Sequence, residues 1–162
     1  MAGDDQGHRF PFDYRPLSVE ATGEEGWHSW NLIPEHEGRY NHAFLGELMV
    51  RQEGTSVRLR MKPERRHTNI ADNIHGGTIL GLLDIALFAT QHLCGSGSAG
   101  AAVTLEMSTQ FVGAGDPSRP LDAVSEVVRE TGKLAFVRGM AMQGDHVVAS
   151  YSGILRKFSR TT

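Results

Sequence analysis

The sequence predicts an α+β fold in which one antiparallel sheet curls around a single buried helix. Three observations carry that prediction: an eighteen-residue stretch apolar nearly all round, two strand-like runs before it, and four such runs after it. A helix without a polar face belongs in a core rather than on a surface. Runs joined by short turns pair antiparallel, so the six strands make one sheet against that helix.

Residues 1–40 mix glycine, acids and scattered aromatics (Phe10, Phe12, Tyr14, Trp27, Trp30) without a sustained period of either kind. They read as a partly ordered N-terminal arm that packs its aromatics on the domain, and the sharper alternative is a lid over a ligand. Residues 41–162 read as the domain itself. Phe44 to Glu53 and Ser56 to Met61 flank Glu53-Gly54-Thr55, a hairpin signal, and Pro63 stops the second strand. From Gly76 to Leu93 only Thr78, Asp84, Thr90, Gln91 and His92 are polar. Gly95-Ser96-Gly97-Ser98-Ala99-Gly100 breaks that helix. Four strands follow: Ala101 to Val112, Pro120 to Glu130, Lys133 to Gln143 and His146 to Phe158, with turns at Thr131-Gly132 and Gly144-Asp145.

Composition bounds the function. A chain of 162 residues with 40% apolar and 22% charged residues is one ordinary globular domain. Sixteen basic residues against nineteen acidic ones give −3, which offers no general attraction to nucleic acid or an anionic membrane. The single cysteine, Cys94, excludes an intrachain disulfide and suits a reducing compartment. Met1-Ala2-Gly3-Asp4-Asp5 has none of the apolar character of a signal peptide, and Asp84 interrupts the longest apolar stretch. The expectation is a soluble, cytoplasmic, single-domain protein.

Some motifs carry no chemistry. Gly95 to Gly100 fits G-x-G-x-x-G, yet it follows a helix and precedes a strand, whereas phosphate cradling needs a helix N-terminus after it. Ser98 misses the nucleophile elbow and its strand–turn–helix setting. None of the eight histidines stands in H-x-x-x-H or at ligand spacing from Cys94, so no metal is expected.

The informative stretch is Asn69-Ile70-Ala71-Asp72-Asn73-Ile74-His75-Gly76-Gly77, running into the helix that contains Asp84. Each glycine in a first helical turn costs up to about 1 kcal/mol against alanine. What it allows is close approach: bare N–H groups at a positive helix end suit developing negative charge. A tight loop-to-helix junction is the plainer explanation. Asp84 is the second anomaly, an acid between Leu83 and Ile85. Either it is a buried carboxylate raised toward the range of a general base, or it lies on a narrow solvent-facing stripe. Nine residues separate His75 from Asp84, about 13.5 Å along the axis and half a turn around it. A site using both ends therefore needs a second subunit, with two such helices antiparallel across a two-fold axis.

The spacing N-x5-H-G-G-x6-D, formed by Asn69, His75-Gly76-Gly77 and Asp84, resembles the signature of hotdog-fold acyl-CoA thioesterases of the phenylacetate-pathway (PaaI-like) branch. The likeness continues through Val103 to Met107, Thr131-Gly132-Lys133 and Val147 to Lys157, and covers residues ~40 to 158. It implies the hotdog fold, hydrolysis of an acyl-CoA to free acid and coenzyme A, and no cofactor beyond the substrate's own coenzyme A. It implies a homodimer or a dimer of dimers as well. Asp84 would be base or nucleophile, and the Gly76 N–H the oxyanion donor. Asn69 and Thr104 would position water or substrate, and His75 would shape the loop. Gly77, Gly132, Lys133 and Arg65 are the substrate-binding candidates. Where the family commonly has glycine, this chain has Asp72, a residue that tolerates a left-handed conformation better than most.

Basic residues offer seats for coenzyme A phosphates. Arg58, Arg60 and Lys62 alternate along one strand, more simply a solvated face, while Arg65 and Lys133 read as functional and Arg156 as a weaker candidate. Two rivals remain. Hotdog dehydratases resemble H-x4-P-G, and no proline follows His75. A non-catalytic acyl-CoA binder or ligand sensor would keep the same pocket.

Overall fold

The computed structural model describes residues 12–32, 37–96 and 102–158. Strands β4 (Leu48–Glu53) and β5 (Ser56–Met61) form the expected hairpin, turning at Gly54, whose φ of 63° suits a residue without a Cβ. Alternation in β5 sends Val57, Leu59 and Met61 into the core and Arg58 and Arg60 to the outer face. Helix α2 (Gly76–Cys94) follows, then β6 (Ala102–Phe111), β7 (Leu121–Glu130), β8 (Leu134–Gln143) and β9 (His146–Lys157). The long elements fall within a few residues of their predicted bounds.

Ahead of them lie β1 (Phe12–Asp13), a single helical turn α1 (Val19–Thr22), β2 (His28–Ser29) and β3 (Asn31–Leu32). β1 pairs with β3, while β2 pairs with β4 and so extends the main sheet. That sheet is antiparallel throughout, in the order β2-β4-β5-β7-β8-β9-β6. It curls around α2, whose Leu82, Leu83 and Leu87 are fully buried against Leu59, Leu121, Ala135 and Leu155. Truncating one such leucine to alanine costs roughly 2–5 kcal/mol. α2 is also long and apolar enough to cross a bilayer, and here it makes the centre of the fold.

Two differences from the sequence expectation matter for the site. The run from Phe44 does not enter the sheet at once: Asn41–Leu45 is a π-helical turn, and β4 starts at Leu48. Gly46, at φ 77° and ψ −148°, redirects the chain between the two. And α2 is not buried on every side. Ten of its nineteen residues are buried, but Gly77, Leu80, Gly81, Asp84 and Phe88 form a stripe that remains partly or wholly open. Of the features singled out from sequence, Met1 to Asp5, Phe10 and residues 97–101, with Ser98 and Ala101, lie outside the described residues.

Candidate active site

His75 starts α2 as its N-cap, and its Nδ1 accepts the Gly77 N–H at 2.8 Å. The Thr78 and Ile79 N–H groups are taken by the His75 carbonyl. The Gly76 N–H, at the first helical position, has no partner among the described residues. One donor at the positive helix end thus stays available while its neighbours are capped. A methyl group on Gly76 would lie 3.4 Å from the ring of Phe111, which leans over this end from the last residue of β6.

The preceding loop is held by its own polar groups. Asn69 Oδ1 accepts the Ala71 and Asn73 N–H groups at 2.9 and 3.2 Å, and its N–H bonds the Asn73 carbonyl. The side-chain oxygen of Asn69 therefore builds the loop, and its amide nitrogen has no partner among the described residues. Asp72 takes φ 57°, the one positive φ outside glycine among the described residues. An aspartate stands in the left-handed region there, and the loop closes.

His67, which the sequence did not single out, anchors this loop. It is fully buried, its Nδ1 accepts the Glu64 N–H at 2.8 Å, and its Nε2 donates to the Phe44 carbonyl at 2.6 Å. Its own carbonyl accepts the His75 N–H and the Thr78 hydroxyl. The only local signal was Glu64-x-x-His67, which forms a capping box around the 3-10 turn Arg65–His67.

Asp84 lies half-buried in the middle of the open stripe, and Thr104 on β6 donates its hydroxyl to Asp84 Oδ1 at 2.6 Å. Between Thr104 and Glu106 the β6–β9 register slips at a bulge, so Leu105 is the extra residue beside the site. Asp84 and Gly76 remain apart: eight residues of helix put about 12 Å along the axis between them.

The basic candidates separate into two groups. Arg60 Nε and Nη2 donate to the buried Asp122 at 2.6 and 2.8 Å, and Arg58 reaches the same carboxylate at 3.0 Å. The Arg58 hydrogen bond, aided by Arg51, holds the Glu53 carboxyl below its ordinary pKa against the opposing effect of burial. Arg51 and Arg60 each stack 4.6 Å from the Trp27 ring. The β5 arginines are thus bound into the outer sheet face. Arg65 instead lines a surface groove with Pro63, Thr68, Asp72, Pro117 and Ser118. Lys133 projects from an exposed turn in which Thr131 caps Leu134, next to Gly132. Neither cation has an ion pair among the described residues. Lys133 sits beyond the C-terminal end of α2, where Glu130 bonds Ser96 and Lys157, and Arg65 sits by the N-terminal end. One chain does not bring them together. Among the described residues no cluster of three potential metal ligands occurs.

Residues 63–155 match the family model described as the acyl-CoA thioesterase N-terminal domain, a span of more than half the chain. The chain belongs to this acyl-CoA thioesterase family. It is a thioester hydrolase with the hotdog fold, and solved structures show the same architecture. Zebrafish thioesterase superfamily member 2 is 19% identical, with a TM-score of 0.65 over 76% of this chain and 90% of that one. The E. coli PaaI protein from the phenylacetic acid degradation operon is 19% identical, with a TM-score of 0.64 over 77% and 88%. No curated protein matches the thioesterase in sequence. The order of its long elements, two strands, helix and four strands, is the one the family resemblance implied.

Proposed function

We propose that the thioesterase hydrolyses acyl-CoA at two equivalent sites of a homodimer, with Asp84 of one subunit facing Gly76 of the partner subunit. The observation that carries the assignment is the Thr104–Asp84 hydrogen bond on an otherwise apolar, open helix stripe. Thr104 ties down Oδ1 and orients the carboxylate, and Oδ2 has no partner among the described residues. That oxygen takes a proton from water as the water oxygen attacks the thioester carbon. The negative charge then forming on the carbonyl oxygen meets the uncapped Gly76 N–H, a contact worth about 10²–10³ in rate. Collapse expels the coenzyme A thiolate, which recovers the proton. No cofactor enters these steps.

Two surfaces support the dimer. Among the described residues β6 is a ten-residue edge strand bonded only to β9, and it exposes Val103, Leu105 and Phe111. A long apolar edge invites pairing with another chain. Two-fold pairing along β6 lays the two α2 stripes antiparallel, which sets the Gly76 end of each against the middle of the other. It also brings Lys133 of one chain toward the end that carries the other's Arg65, so both cations reach one coenzyme A.

The test is release of free thiol from a panel of acyl-CoAs. Saturable turnover is expected from the native chain. Asp84→Asn should lower kcat at least about 10²-fold while acyl-CoA affinity holds. Near-native turnover in that variant would remove Asp84 from the mechanism.

A further inference from the structure

We propose that Tyr40 selects the acyl group, acting as the wall of a trough that runs along α2 past Gly77, Gly81 and Asp84. The proposal rests on the assignment of the reacting groups above and names which acyl chemistry they accept.

Its starting point is a contact no helix needs. A Cβ on Gly81 would lie 2.7 Å from the Tyr40 hydroxyl and 3.2 Å from its Cε1. Glycine at 81 and the phenol therefore fit each other. Gly81 precedes Asp84 by three residues, so the two are neighbours on the helix surface, about 5–6 Å apart at Cβ. The phenol thus stands within about one turn of the carboxylate.

The helical wheel shows what lies on either side. At 3.6 residues per turn, Gly81 is about 60° from Asp84 in one sense and Leu87 about 60° in the other. Leu87 is covered by the sheet, its Cδ1 only 2.5 Å from where a Cβ on Gly153 of β9 would stand. Gly81 is covered by Tyr40. Asp84 therefore lies on the floor of a trough with the β6–β9 edge as one bank and Tyr40 as the other.

Tyr40 is 54% exposed yet held in place. Its ring stacks on Phe44 at 5.2 Å, and Phe44 meets the buried His67 edge-on at 5.2 Å. His67 also fixes the same chain's Asn69–Gly76 loop, which serves the second site of the dimer, so one anchor holds the wall of one site and the reacting loop of the other. At the Gly76 end of the stripe, Phe111 is likewise 54% exposed. Aromatic banks over a glycine floor suit a hydrocarbon acyl group. The phenol filling the space above Gly81 limits its width, which favours slim straight chains over ring-bearing ones.

The experiment compares kcat/KM for hexanoyl-CoA and benzoyl-CoA in the native dimer, Tyr40→Ala, Gly81→Ala and the double variant Gly81→Ala/Tyr40→Phe. Tyr40→Ala should raise the benzoyl-to-hexanoyl ratio at least about tenfold, the scale set by a change of pocket volume. Gly81→Ala should lower it, and the double variant should return toward the native ratio, because the added methyl takes the place of the lost hydroxyl. Simple damage to the fold would depress both substrates alike. A ratio unchanged within about twofold, or lowered, in Tyr40→Ala overturns the proposal. Affinities of the non-hydrolysable thioether analogues of the same two substrates give the ratio without turnover. If the native chain hydrolyses neither thioester, the affinity ratio still judges Tyr40, and the wider acyl-CoA panel judges the hydrolytic mechanism.

Discussion

The outer face of the sheet around β5 and the open stripe of α2 treat charge in opposite ways. On the outer face, Arg51, Arg58 and Arg60 are matched by Glu24, Glu53 and Asp122, with two of the guanidinium groups stacked on Trp27. Every strong donor there has an acceptor. On α2, one carboxylate has a single hydroxyl partner and one helix-end N–H has none among the described residues. The same chain saturates one surface and leaves capacity on the other. Function is legible in that difference, because a group already paired with its own fold has nothing left to offer a substrate.

The contrast can be broken from either side. Asp122→Ala should give the largest change in stability, about 3 kcal/mol, since it leaves the partly buried Arg60 guanidinium without a carboxylate and Arg58 with Glu53 alone. Below its lowered melting point, that variant should hydrolyse thioesters at the native rate. Chemical denaturation together with a thiol-release assay checks both halves. Gly76→Pro acts on the other surface. Proline at the first helical position keeps the helix, and His75 at φ −65° and ψ 139° already has the extended backbone a following proline requires. Ring carbons take the place of the N–H, and kcat should fall at least about 10²- to 10³-fold with the melting temperature nearly constant.

Smaller effects sharpen the division among the arginines. Arg65→Ala and Lys133→Ala should each raise KM by about fivefold with little change in kcat, and added salt should mimic them. Arg58→Ala and Arg60→Ala should lose stability and leave KM alone. The smallest effect concerns the arm. Burial holds the imidazole of His92, in the last turn of α2, below its ordinary pKa, where Tyr14 and Trp30 of the arm pack on it. A histidine with a depressed folded value contributes its full stability above the unfolded value of about 6.5 and loses it progressively as pH falls below that. The melting temperature should therefore drop slightly more between pH 7.5 and 5.5 in the native chain than in His92→Phe.

How much of this stood in the sequence depends on the range of the interaction. Local features were readable: α2 from its apolar run and the hairpins from Gly54, Gly132 and Gly144, while the left-handed Asp72 was legible only through the family resemblance. Long-range pairings were not. Arg60 meets Asp122 from 62 residues away, and nothing in the alternation of β5 distinguishes a solvated arginine from a locked one. The π-helical turn over Asn41–Leu45 read as strand because Phe44 and Leu45 continue an apolar run, and its packing against α2 is tertiary. For the same reason, neither His67 nor Tyr40 stood out. The Asp84–Thr104 pair was legible only as a family resemblance, since twenty residues and a strand crossover separate the partners.

The central claim is that each site takes Asp84 from one subunit and Gly76 from the other. Mixing Gly76→Pro and Asp84→Asn after dissociation and reassembly tests it most directly. In a mixed dimer one site carries both defects and the other carries neither. Random pairing makes about half the dimers mixed, so roughly a quarter of native activity should return under closed two-fold symmetry. If each site were built within one chain, every site would keep one defect. No recovered activity, with mixed dimers shown to have formed, would contradict the shared site.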